Sequence, residues 1–169
     1  LARGKETSIF TIIDARYDID GKGVWNYKGL LASNENLEVS RVKPAYYALQ
    51  NATSIFDSSL KPISRFSYEA VNDTNLFVFA HENSYTRKQA VALWYGNRKP
   101  VLSTDKQEIE IKVFGGNFDS PVWVDLRTGE VFAIPGNKWE KNGNTFTFSE
   151  IPVYDSPVLI IDKSLITIL

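Results

Sequence analysis

From Leu60 onward, apolar and polar residues alternate with a period of two, broken at short intervals by Gly, Asn, Asp and Pro. That is the pattern of antiparallel strands burying one face and joined by tight turns. It predicts strands over residues 63–70, 75–81, 88–95, 108–114, 122–125, 130–134, 145–149 and 158–162, with 165–169 as a ninth. The alternation is cleanest in Glu108-Ile109-Glu110-Ile111-Lys112-Val113, which should turn three apolar side chains inward and three charges outward. Residues 88–95 are apolar on both faces, with Ala90, Ala92 and Trp94 on one and Val91, Leu93 and Tyr95 on the other, so they should form a central strand. Arg127-Thr128-Gly129 and Lys141-Asn142-Gly143-Asn144 read as hairpin turns. Eight or so strands at this spacing predict an antiparallel β-sandwich over residues 60–169.

The first third follows another pattern. Residues 8–13, Ser8 to Ile13, form a nearly continuous apolar run, expected of a strand covered on both faces. Residues 14–38 are polar with Gly21, Gly23 and Gly29, and read as a long loop. Val42, Ala45, Leu49, Ala52 and Phe56 then recur at the spacing of one helical face, and Pro44 suits a first turn whose N–H has no helical partner. Leu1 to Arg3, stopped by Gly4, fits the end of a preceding helix. The change of period places a domain boundary near residues 57–62, giving units 1–59 and 60–169.

Composition narrows the chemistry. The 169 residues carry 19 Lys and Arg against 20 Asp and Glu, a formal charge of −1. That balance argues against nucleic acid or an anionic membrane as partner, since both need a basic face. The absence of cysteine removes disulfides, thiol nucleophiles and Cys-based zinc sites, and the single histidine, His81, precludes a multi-His metal site. His81 ends an apolar strand and reads as a surface or hydrogen-bonded residue. No apolar run approaches the ~18 residues of a transmembrane helix. The chain opens Leu1-Ala2-Arg3-Gly4, without Met or a signal-peptide pattern, and is expected to be part of a longer protein.

A strand, a long loop and an amphipathic helix make a βα unit that cannot bury its own strand. Here it precedes strands of period two. The residues of that unit, Tyr27-Lys28-Gly29-Leu30-Leu31 and then Lys43-Pro44-Ala45-Tyr46-Tyr47-Ala48-Leu49-Gln50-Asn51, resemble the last loop and last helix of the catalytic TIM barrel in clan A glycoside hydrolases. Residues 9–13 then resemble the eighth barrel strand, and Asp14-Ala15-Arg16-Tyr17-Asp18 the aromatic and acidic motif at the barrel mouth. Residues 125–131, with Val153-Tyr154-Asp155-Ser156-Pro157-Val158, resemble the accessory sandwich of such enzymes. The resemblance implies a glycosidase parent whose two carboxylates, about 5–5.5 Å apart in retaining enzymes, stand upstream of Leu1. It implies no catalytic residue here, and no cofactor. The partners it implies are the catalytic barrel of the same polypeptide and a poly- or oligosaccharide, and the location it implies is secreted, periplasmic or on the cell surface.

On that resemblance, Asp14, Arg16, Tyr17, Asp18 and Trp25 are the residues expected to contact substrate or line the rim, against the ordinary reading of a solvated loop. Asp18-Ile19-Asp20-Gly21-Lys22-Gly23 matches the start of a calcium loop, but its twelfth position is Gly29 rather than an acid, so it reads as a glycine-rich turn and no metal is expected. Two alternatives stand beside the glycosidase reading. One is a carbohydrate-binding module with Trp123, Trp139 or Tyr85 as stacking platforms. In that reading Trp123 is the best exposed aromatic, because Val122, Val124 and Leu126 form the core face of its strand. The other is a structural or protein-interaction domain. The sequons at Asn51 and Asn72 carry little weight at this Asn and Thr content.

Overall fold

A computed structural model describes residues 9, 11–71, 75–96, 101 and 103–166. Among the described residues the fold is mainly β, built of antiparallel sheets with one α-helix. It divides into two compact units, Leu1–Gln50 and Asn51–Leu169.

The described residues of the first unit form two hairpins before the helix. β1 (Ala15–Ile19) pairs with β2 (Lys22–Asn26), and β3 (Leu31–Ser33) with β4 (Val39–Val42). The β1–β2 turn is Asp20-Gly21, with φ of 53° and 74°. Two positive-φ residues between paired strands make the tight turn whose twist matches that of the ladder, and Asp-Gly is a preferred sequence for it. Residues 14–38 are therefore not the long loop expected. The continuous strand expected over residues 8–13 is also corrected. Ser8 and Phe10 lie outside the described residues, Ile12 sits in a bend at 63% exposure, and Ile13 makes only an isolated parallel bridge to Leu31. The helical end expected over residues 1–3 lies outside the described residues.

Helix α1 spans Pro44–Ile55, with the proline at its start as expected. Val42 belongs to β4 and Ala45 is exposed, so the predicted face is corrected: burial is confined to the end of the helix, where Ile55, off that face, joins Ala52 and Phe56. Ala52, Ile55 and Phe56 pack on Ala90, Ala92, Val122, Val124, Leu159 and Ile161.

The remaining strands are β5 (Leu60–Pro62), β6 (Ser67–Ala70), β7 (Leu76–Asn83), β8 (Gln89–Tyr95), β9 (Gln107–Phe114), β10 (Pro121–Asp125), β11 (Val131–Ala133), β12 (Trp139–Asn142), β13 (Thr145–Val153) and β14 (Val158–Asp162). One sheet runs β11-β10-β14-β8-β7-β5, the other β12-β13-β9-β6. Side chains of both sheets meet in one core, with Val91, Leu93, Trp123, Val158 and Ile160 from the first and Ile109, Ile111, Val113, Phe146 and Phe148 from the second. Phe118 stands edge-on to Phe146 and Phe148, centroids 5.2 and 5.5 Å apart, the favoured geometry for aromatic pairs. Burying one such ring is worth about 1.5–3 kcal/mol.

β8 lies between β14 and β7 and is buried on both faces, as its two apolar faces require. β9 buries Ile109, Ile111 and Val113 and turns Glu108, Glu110 and Lys112 away from the core. The predicted turn at residues 127–129 joins β10 to β11, with Gly129 at φ 80°. Asp125 organises it, its Oδ1 accepting from the N–H groups of Arg127 and Thr128 at 2.9 and 3.3 Å. Gly143, at φ 61°, lies in the turn between β12 and β13. Where a ninth strand was expected, Lys163–Leu165 is a 3₁₀ turn and residues 167–169 lie outside the described ones.

Candidate functional site

Register sorts the side chains of the β1–β2 hairpin. Arg16 is directly opposite Trp25 and Asp18 opposite Gly23, while Tyr17 faces Val24 and Ile19 faces Lys22. Opposed residues of an antiparallel pair share a face, so Arg16, Asp18 and Trp25 stand together. Tyr17, Ile19 and Val24, all exposed, form the reverse face.

Three contacts build the first face. Trp25 and Tyr27 stack, with ring centroids 6.0 Å apart and planes 12° from parallel, and Tyr27 is 69% exposed. Arg16 lies across Gly23, where an added Cβ would come within 2.3 Å of its Nε and Nη2 atoms. Asp18 accepts from the Gly21 N–H at 2.8 Å, capping the turn. The turn therefore replaces the partial calcium loop, and among the described residues no group of three or more His, Asp or Glu gathers at a metal-binding spacing.

Asp14 departs from the expected contact role. It is 3% exposed, and its Oδ1 accepts from Lys43 Nζ at 2.5 Å and from the Gly29 N–H at 3.0 Å. Lys43 Nζ also donates to the Tyr27 carbonyl at 2.9 Å. The part-buried ion pair thus fixes the backbone beside the stacked rings, and removing Lys43 would leave the buried Asp14 carboxylate with only the Gly29 N–H. Gly29 belongs to the same anchor, since a Cβ there would meet the Asp14 backbone nitrogen at 2.4 Å. Tyr27 and Lys43 were not among the expected site residues. Their signals were the two-residue spacing from Trp25, which keeps Tyr27 on the same face, and a lysine just before the helix.

The other aromatic candidates do not assemble. Trp123 is 4% exposed and points into the core between the sheets, where its Nε1–H donates to the Pro152 carbonyl at 2.9 Å. The expectation of an exposed Trp123 is corrected: β10 is buried on both faces, so its Val122 and Val124 face was not the only core face. Trp139 is half-buried and stacks on Phe146, centroids 6.0 Å apart. Tyr85 is exposed on the turn after β7, and among the described residues it makes no ring contact.

Beside Trp123 lies a buried polar cluster. The Tyr154 hydroxyl donates to Asp125, 2.9 and 3.0 Å from its two oxygens, and Lys106 Nζ lies 3.4 Å from Oδ2. Burial, then the hydrogen bond to Asp125 and its charge, push the Tyr154 hydroxyl up to about 12. Lys106 also stands 5.0 Å from the Trp123 ring centroid, a cation–π distance. This cluster ties β10 to the segments before β9 and after β13.

The hairpin face presents flat aromatic surface, guanidinium donors and a carboxylate acceptor. No protein-family model, curated protein or solved structure matches the chain.

Proposed function

We propose that the chain is a non-catalytic C-terminal part of a glycoside hydrolase, in which the β1–β2 hairpin forms one wall of a saccharide cleft. The observation that carries this reading is the grouping of Arg16, Asp18, Trp25 and Tyr27 on one face with the two rings stacked. The two-faced character of the hairpin supports it: the exposed apolar face of Tyr17, Ile19 and Val24 offers a seat on a barrel mouth while the other face meets substrate. In this reading the two sheets of residues 51–169, wrapped about one core, are the accessory β-sandwich. The glycosidic bond is then cleaved by carboxylates of a barrel that these residues support.

Affinity electrophoresis of the full chain through gels containing plant and microbial polysaccharides tests the wall. Retardation by one polysaccharide is expected, with Trp25→Ala weakening it by about tenfold or more and Tyr85→Ala leaving it unchanged. Retardation that survives Trp25→Ala, or none with any polysaccharide, overturns the reading.

A further inference from the structure

We infer that a cavity of about 300 Å³ on the open side between the two sheets binds a single neutral pyranose ring, independently of the hairpin. Trp123 and Phe132 are directly opposite in the β10–β11 ladder and so share the inward face, with centroids 5.8 Å apart. Trp123 is covered, whereas Phe132 is 55% exposed. β11 is the edge strand of its sheet and all three of its residues are exposed. Ile134 and Ile151, both buried, line the same cavity.

The far wall is shaped by a bulge. The β13–β9 register slips between Phe148 and Ile151, and Glu150 takes a left-handed φ of 55°. A residue with a Cβ holds that conformation only under backbone strain, and such outliers gather where a side chain must be aimed. Here Glu150 pairs with Lys138, and both line the cavity with Ser149.

The charges narrow the ligand. Lys138 is paired with Glu150 and Lys106 with Asp125, so the rim carries donors and acceptors without net charge. It offers no excess charge to hold an anion, and its half-exposed groups offer hydrogen bonds that a purely apolar ligand would leave unused. A neutral sugar ring satisfies both parts: its C–H face lies on Phe132, and its adjacent hydroxyls meet the Lys138–Glu150 pair and the Ser149 hydroxyl. The volume stands near the lower bound of about 300 Å³ for ligand sites, which limits the occupant to about one ring.

Titration of the ¹⁵N-labelled full chain with methyl glycosides of neutral pentoses and hexoses, followed by amide shifts, is the test. The expected result is saturable shifts at Phe132, Ser149 and Ile151 with at least one glycoside. Phe132→Ala should raise its Kd about tenfold or more, Lys138→Ala should also weaken it, and Trp25→Ala should leave it unchanged. The last arm separates this site from the hairpin wall. Should Phe132→Ala fail to fold, the surface variant Lys138→Ala decides alone. Absence of shifts with every neutral glycoside, tighter binding of methyl glucuronoside, or a Kd indifferent to a folded Phe132→Ala or to Lys138→Ala overturns the proposal.

Discussion

His81 stands on β7 with its ring tilted 72° to that of Phe56, centroids 5.0 Å apart, and its buried Nδ1 has no hydrogen-bond partner among the described residues. Burial disfavours the charged imidazolium, so its pKa lies below the ordinary 6.5. The unfolded chain then takes up the proton first as the pH falls. Stability from the neutral ring is fully present above about pH 6.5 and drains away below it, until the folded state also protonates. The urea midpoint should therefore drop more between about pH 7.5 and 5.5 in the wild type than in His81→Phe, where carboxylates titrate alike but no imidazole does. Equal drops would mean that His81 meets solvent or a partner when charged. Nothing in the sequence marks this residue except the apolar strand before it, and a strand-end histidine reads as a surface or hydrogen-bonded group. Its environment is set by Phe56, 25 positions away and brought in by the helix.

The β1–β2 hairpin shows what an element can hide. Its turn was written as Asp20-Gly21, and Arg16 and Asp18 alternate with Tyr17 and Ile19 as a strand requires. It reads as loop because neither face is a core face, so the apolar-in, polar-out contrast that exposes β9 is missing. The expectation over residues 8–13 failed the opposite way: among the described residues Ile12 and Ile13 meet one partner, Leu31, and apolar content alone does not make a strand. The hairpin depends instead on its turn. Gly21 is at φ 74° with nothing within 4 Å of an added Cβ, so a β-branched replacement meets backbone strain and no clash. Gly21→Val should cost the hairpin about 1–2 kcal/mol. Amide exchange across residues 15–26 should then accelerate roughly five- to thirtyfold while β9 and β13 keep their protection. Unchanged exchange in the hairpin would show that its ladder does not rest on the turn.

In the larger unit, one sheet is covered on both sides, by the second sheet on one face and by the end of α1 with Phe56 on the other. This arrangement explains both the legible and the illegible strands. β8 declares itself because its two apolar faces are obvious, and β9 because one of its faces is charged. In β10, Val122 and Val124 pack toward the helix side while Trp123 fills the space between the sheets, so a strand with two core faces resembles one with a single aliphatic face and a spare tryptophan. Trp123→Ala should therefore cost about 3–5 kcal/mol, through the cavity left and the lost bond to the Pro152 carbonyl. Trp123→Phe, which keeps a ring but strands that carbonyl, should cost about 1–3 kcal/mol. Urea unfolding at fixed pH checks both. Against a total of about 5–15 kcal/mol, the alanine change removes a large fraction of the stability of the unit. Sugar retention lost in Trp123→Ala would then report the melting of the two-sheet core, so contact with a saccharide has to be tested at Trp25 and Phe132, whose rings lie at the surface of their elements. A Trp123→Ala chain as stable as the wild type would overturn the shared core itself.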